Sequence, residues 1–261
     1  MPFSRRAFAI TLALLSVLPG RGVLAQSDAP VIAVASSMQF AVTEIAEAFS
    51  NDTGQTVRLS FGSSGNFARQ IREGAPFEVF IAADEDIIVD LHKDGFSPDE
   101  GRVYAIGRLV LAVPHGSPLA PDGSLAALKA ALAEGRITRF AIANPEHAPY
   151  GMRAREALVH QGLWEDVQPY LVLGENITQA AQFALSGNAE GGITAYSLVL
   201  SAELKDLGTW ELIPQEWHAP LRQRIVTLND AGETAQAFYA YMDSETAHDI
   251  MKRYGFDLPQ E

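Results

Sequence analysis

Cysteine does not occur in this 261-residue chain, which excludes disulfide staples, thiolate metal ligands and a lipid-bearing cysteine. Basic residues are scarce as well: 19 Lys and Arg stand against 32 Asp and Glu, a formal charge of -13. Nucleic acid and an anionic membrane surface are therefore poor partners. Beyond the first 25 residues no stretch approaches the roughly twenty apolar residues of a membrane-spanning helix. The G-x-S-x-G nucleophile elbow, the GxxxxGK[ST] phosphate loop and the dinucleotide GxGxxG phrase are missing too. His92, His115, His147, His160, His218 and His248 show no zinc-binding cadence. An enzyme assembled from distant residues is still compatible with these absences, but the sequence names no mechanism for one.

What is present begins with an address. Arg5 and Arg6 precede an apolar run from Ala7 to Leu18 and a small-residue exit at Val23 to Ala25, the three zones of a secretory signal whose apolar part is too short to anchor permanently. Residues 1–25 are expected to be removed on export, and SRRAF has the look of a twin-arginine signal. The expected product is a soluble periplasmic protein. Taking Arg5, Arg6 and Arg21 from the 19 basic residues leaves 16 against 32 acidic, a balance of -16. Any anion site must then win locally against an unfavourable overall field.

The rest of the chain alternates between strand and helix patterns. Val31 to Val34 is an apolar run emptying into Ala35, Ser36 and Ser37, and Val42, Ile45, Ala46 and Phe49 follow at helical spacing. Thr56 to Phe61 repeats the design, ending in Gly62, Ser63, Ser64, Gly65 and Asn66 before Phe67 and Ile71 mark a second helix. Further strand-like segments are Phe77 to Ala83, Val103 to Val113, Ile137 to Ala143, Tyr170 to Leu173 and Ile193 to Ala195. Helices are predicted at Leu125 to Ala133, Met152 to His160 and Ile177 to Leu185. This alternation argues for α/β layers with mainly parallel sheets. Punctuation-rich connectors at Pro114 to Gly123 and Pro214 to Pro220 bracket a unit of about 100 residues, and the flanking pieces are too small to be separate domains. The expected organisation is a discontinuous first domain, 30–112 and 220–261, with 113–219 inserted as the second. Arg222 to Leu228 is the expected returning strand, followed by helices at Thr234 to Met242 and Thr246 to Tyr254.

Candidate chemistry sits where strands hand over to helices. Hydroxyls and free amides at a helix start hold an oxyanion without a full positive charge, and Ser36 and Ser37 occupy one such start, Ser64 and Gly65 another. Serine and glycine also serve as ordinary caps and turns there. Tyr150, in a loop with Asn144, Pro145 and Gly151, offers a phenolic hydrogen or a backbone N–H; packing of its ring is the plain alternative. Ile177 offers only its amide, at a start that also holds Glu175, a residue better suited to capping than to an anion. No lysine or arginine lies in these clusters. A donor-only pocket suits a dianion that carries no proton of its own, which favours molybdate, tungstate or sulfate over protonated phosphate. Asp84, Glu85 and Asp86 are consecutive, so they do not all face one cation, and read as helix-start, solvated acids.

Several separated phrases add to this reading: AVASSMQFAVTEIAEAF, SFGSSGNFARQIREGAPFEVFIAAD, NPEHAPYGMRAREAL, GENITQAAQFALSGNAEGGITAYS and AFYAYMDSETAHDIMKRYGF. In this order they resemble the periplasmic molybdate-binding proteins of ABC uptake transporters over essentially the whole mature chain. The resemblance implies two three-layer α/β domains joined by a hinge, of the type II periplasmic binding-protein kind, with a tetrahedral oxyanion in the interdomain cleft. It implies contacts to the oxygens of molybdate or tungstate, not ligation of a bare cation, from Ser37, Ser64, Tyr150 and Ile177, with Ser36 and Gly65 adjacent. It further implies a membrane permease as partner, no resident cofactor, no catalysis, and a monomer. One departure is visible: where some relatives carry a tyrosine in the phrase GGITAYS, this chain has Ala195, with Tyr196 one residue on. Successive strand side chains face opposite ways, so Tyr196 is not automatically a replacement; Tyr150 in APYG resembles the alternative family pattern in which a tyrosine of that other loop serves the anion, which leaves Tyr196 expected to pack. The different-class alternatives are an exported α/β hydrolase of a phosphate or sulfate ester and a binder of another oxyanion such as sulfate.

Overall fold

Val31–Ala35 form β1, whose last four residues are buried, as suits a strand covered on both faces. In the computed structural model, which describes residues 29–259, β1 is followed by α1 (Gln39–Thr53), β2 (Arg58–Gly62), α2 (Ser64–Arg72), β3 (Phe77–Ala82), α3 (Glu85–Lys93) and β4 (Arg102–Gly107). Only Arg108 separates β4 from β5 (Leu109–Pro114), and α4 (Ala126–Ala133), β6 (Phe140–Ala143), α5 (Pro149–His160) and α6 (Trp164–Val167) continue the chain. Next come β7 (Leu171–Gly174), α7 (Ile177–Leu185), β8 (Gly191–Ala195), α8 (Tyr196–Val199), β9 (Gly208–Leu212), β10 (Leu221–Thr227), α9 (Glu233–Tyr241) and α10 (Glu245–Arg253). The expected signal, residues 1–25, lies outside the described residues.

Two five-stranded sheets result, in the orders β2-β1-β3-β10-β4 and β7-β6-β8-β5-β9. They are mixed, which corrects the expectation of mainly parallel sheets: β10 runs antiparallel to β3 and β4, and β5 antiparallel to β8 and β9. The cause is topological. Strands β1 and β3 end at the face between the sheets, and β6 and β8 do the same from the other side. A strand arriving from the opposite sheet starts at that face and must run away from it, which is the case for β5 and β10.

The segment Val103 to Val113, expected as one strand, is thus two strands in different sheets. The expected division after residue 112 falls inside β5, all of whose pairings are with β8 and β9. The chain passes between sheets at Arg108 and again over 213–220.

Each sheet is layered by helices. On one face of the first sheet Ile45 and Phe49 of α1 pack with Phe238 of α9 and Ile250 of α10; on the other, Phe67 and Ile71 of α2 pack with Ile88 and Leu91 of α3. Phe49 meets Phe238 edge to face at 5.4 Å between ring centres, a favoured aromatic geometry. The second sheet is packed by Leu128 of α4, Ala154 and Leu158 of α5 and Ala180 and Ala184 of α7. Helix ends follow local chemistry: α1 stops where Gly54 takes φ 71° and returns its N–H to Ser50 O, and α7 starts where the Asn176 side chain accepts from Gln179 N. No helix among the described residues is long and apolar enough to cross a membrane.

Candidate oxyanion site

The carboxyl ends of β1, β2 and β3 deliver Ala35, Gly62 and Ala83 to the face between the sheets, where the starts of α5 and α7 meet them from the other side. They enclose a cavity of about 10 Å³ lined by eleven residues, among them Ser36, Ser37, Ser63, Ser64, Tyr150 and Ile177. That is about the room of one ordered water, a size that suits a compact ligand. None of the eleven is charged.

The donors are set individually. Ser64 is fully buried and its Oγ accepts the N–H of Ala83 at 3.0 Å, which leaves its own hydrogen for the cavity. Tyr150, 1 % exposed, accepts from Gln223 Nε2 at 3.0 Å, and its phenolic hydrogen is likewise free to point inward. Burial pushes the Tyr150 hydroxyl well above the ordinary phenol range, against hydrogen bonds from Ser37 and Gln223 that act the other way; it is a donor at every physiological pH. Ile177 is the first residue of α7, where helix geometry leaves the amide unpaired. Ser37 places its Oγ 3.4 Å from Gln223 Oε1, a contact long enough for the hydroxyl to turn its hydrogen elsewhere.

Gly65 differs from the sequence expectation. It does not line the cavity; its N–H is given to His147 O at 3.0 Å, and a Cβ there would stand 2.6 Å from that oxygen. Its role is to let the two sheets approach. Other contacts span the same boundary: Asn66 Nδ2 donates to Glu175 Oε1 at 2.6 Å, Thr178 Oγ1 to Ser36 O at 3.0 Å, and Ser197 Oγ to Ser37 O at 2.7 Å. Ser63 Oγ meets His147 Nδ1 at 2.9 Å, with Glu175 3.7 Å from Nε2. Glu175, expected to cap or to support the site without touching the anion, is a cross-boundary acceptor, while its own N–H goes to the Gln179 side chain.

The three consecutive acids also part from expectation. Asp84 does cap α3, accepting from Asp86 N, but it is buried and paired with Arg153 of α5 at 2.8 Å; Glu85 pairs with Arg222 and Arg224. Tyr196 packs as expected, 4.9 Å from the Trp210 ring centre and against Gly255, where a Cβ would lie 2.5 Å from its ring.

Sequence reasoning missed Gln223, which touches Ser37, Tyr104 and Tyr150. A signal existed: in LRQRIVT the residues Leu221, Gln223 and Ile225 share one buried face of β10, and a polar residue in an apolar register needs partners.

With this geometry in place, the comparisons with known proteins are specific. The family model for bacterial extracellular solute-binding proteins matches residues 30–257. The chain belongs to that family. Among relatives, this solute-binding protein is 36% identical to the molybdate-binding protein ModA of Rhodobacter capsulatus over 258 residues, 98% of this chain and 97% of the relative. It is 37% identical to ModA of Azotobacter vinelandii over 254 residues, 95% and 98% of the two chains. The solved structure of the Azotobacter vinelandii periplasmic molybdate-binding protein superimposes with a TM-score of 0.78 at 32% identity, covering 88% of this solute-binding protein and all of that chain (100%). The two-sheet architecture is therefore that of a periplasmic binding protein.

Proposed function

We propose that this solute-binding protein captures molybdate in the periplasm, takes tungstate in the same way, and hands the anion to the permease of an ABC importer. The observation that carries the reading is a small, uncharged cavity of hydroxyls and helix-start amides, enclosed between two sheets, in a chain similar over nearly its whole length to molybdate-binding proteins. The dianion brings all the charge. Fixed dipoles in a water-poor cleft complement it without a lysine or arginine, because they are little screened there. Ser36, Ser37, Ser64 and Tyr150 contact its oxygens through hydroxyls and Ile177 through its amide. Tungstate shares the tetrahedral shape, whereas hydrogen phosphate presents a proton that forces one of the inward hydroxyls to accept rather than donate. The same reading takes the protein as a monomer. Hydrolysis of an ester is not favoured, since the relatives are named as binding proteins.

Calorimetric titration of the mature, ligand-free protein with molybdate, tungstate, sulfate and phosphate at matched salt and pH tests the reading. Tight one-to-one binding of the first two alone is expected; indifference to both rejects it. Ser37→Ala and Ser64→Ala should each weaken molybdate roughly 10- to 100-fold, the usual cost of a hydrogen bond to a charged group. Wild-type affinity in both would remove these serines from the site.

A further inference from the structure

The starting observation lies outside the cavity wall. Gln223 is fully buried on β10, in the first sheet, yet its amide reaches the phenol of Tyr150 on α5, in the second. Its Oε1 lies 3.4 Å from the Ser37 hydroxyl and 3.3 Å from the Tyr104 hydroxyl, and its Nε2 lies 3.0 Å from Tyr150 Oη. In this orientation the carbonyl faces the Ser37 and Tyr104 hydroxyls and the nitrogen faces Tyr150, whose oxygen is thereby engaged as an acceptor.

We infer that Gln223 is a positioning and specificity-determining residue: by donating to Tyr150 Oη it commits the phenolic hydrogen to the cavity. This rests on the reading of Tyr150 as an anion contact. Tyr104 completes the device. When an anion draws the Ser37 hydrogen inward, Tyr104 keeps the Gln223 carbonyl satisfied, so the amide does not turn over. Burial raises the Tyr104 hydroxyl well above the usual phenol range, which keeps that hydrogen in place. Without Gln223 the Tyr150 oxygen loses a buried donor and can accept from the cavity, and hydrogen phosphate gains a further partner there.

The test is a double-mutant cycle on the full mature chain, with molybdate and phosphate titrated at neutral pH and melting followed in parallel. Gln223→Met should weaken molybdate about tenfold and narrow the ratio of molybdate to phosphate affinity. In a Tyr150→Phe background the same substitution should change molybdate affinity less than about twofold, because there is no phenolic hydrogen left to direct. If Tyr150→Phe alone leaves molybdate affinity intact, the site reading fails. If Tyr150→Phe weakens binding but Gln223→Met costs the same in both backgrounds, or nothing in either, the site stands and this inference falls. Should Gln223→Met not fold, Gln223→Glu serves in the same cycle. Charge repulsion by the new carboxyl acts in both backgrounds, so the loss must be about tenfold greater where the phenol is present; equal losses overturn the assignment.

Discussion

Replacing Arg153 by methionine should cost the folded chain about 3–5 kcal/mol at neutral pH, the usual penalty for leaving one member of a buried ion pair uncompensated. Arg153 and Asp84 are both mostly buried, meet at 2.8 Å, and join α5 of the second sheet to the start of α3 on the first. Burial already raises the Asp84 carboxyl above its ordinary value, and Arg153 opposes that rise. Removing the guanidinium lifts it further. A carboxyl raised in the folded state holds its proton more tightly there than in the unfolded chain. The deficit should therefore be small below the unfolded carboxylate pKa of about 3.9, and grow as pH rises through the folded value. Urea denaturation of both proteins between pH 4 and pH 8 measures this. A deficit independent of pH would mean that lost packing, not the stranded carboxylate, is responsible. Pairing the change with Asp84→Asn should recover most of the loss at pH 7.

The second large effect concerns a residue with no side chain. A Cβ on Gly107 would stand 2.1 Å from Tyr150 Oη and 2.7 Å from Gln223 Nε2, at the last residue of β4 before the chain changes sheets. Tyr150 is buried on all sides and has nowhere to turn, so Gly107→Ala must displace the phenolic oxygen. Molybdate affinity should fall about 100-fold, equivalent to the stronger hydrogen bonds to charged groups, and stability by about 1–3 kcal/mol from overpacking. Adding Tyr150→Phe to Gly107→Ala removes the colliding oxygen. The double variant should regain part of the lost melting temperature, the approach to Gln223 remaining, but not affinity. Recovery of both would show that Tyr150 contributes only bulk.

How much of this was readable in advance depends on the range of the interaction concerned. Local signals were accurate: α7 runs over the predicted Ile177 to Leu185, and the serines at the ends of β1 and β2 do face one cavity. The preference for Tyr150 over Tyr196 came from the resemblance of APYG to a family pattern, and the Tyr196 ring, at the start of α8, packs against Trp210. Pairing across the fold left no comparable trace. Nothing in LVLAVP marks it as antiparallel to its neighbours, because strand direction is set by where the chain enters a sheet. For the same reason the passage at Arg108 was hidden inside a continuous apolar run. Gly65 resembled a ligand residue because glycine at a helix start serves close approach of any kind, to an anion or, as here, to the carbonyl of His147. Gln223 was readable from its buried register but not its partners, which lie 186, 119 and 73 residues away.

The contacts that join the sheets around the cavity have a kinetic consequence. Asn66 with Glu175, Gly65 with His147, Thr178 with Ser36 and Ser197 with Ser37 bind protein to protein and make no use of the anion. In the proposed site the anion is itself held from both sides, by Ser37 and Ser64 on one and Tyr150 and Ile177 on the other, so its residence time is set by these contacts acting together with its own hydrogen bonds. A permease that pries at Asn66 and Glu175 would hasten release without touching any group that faces the anion.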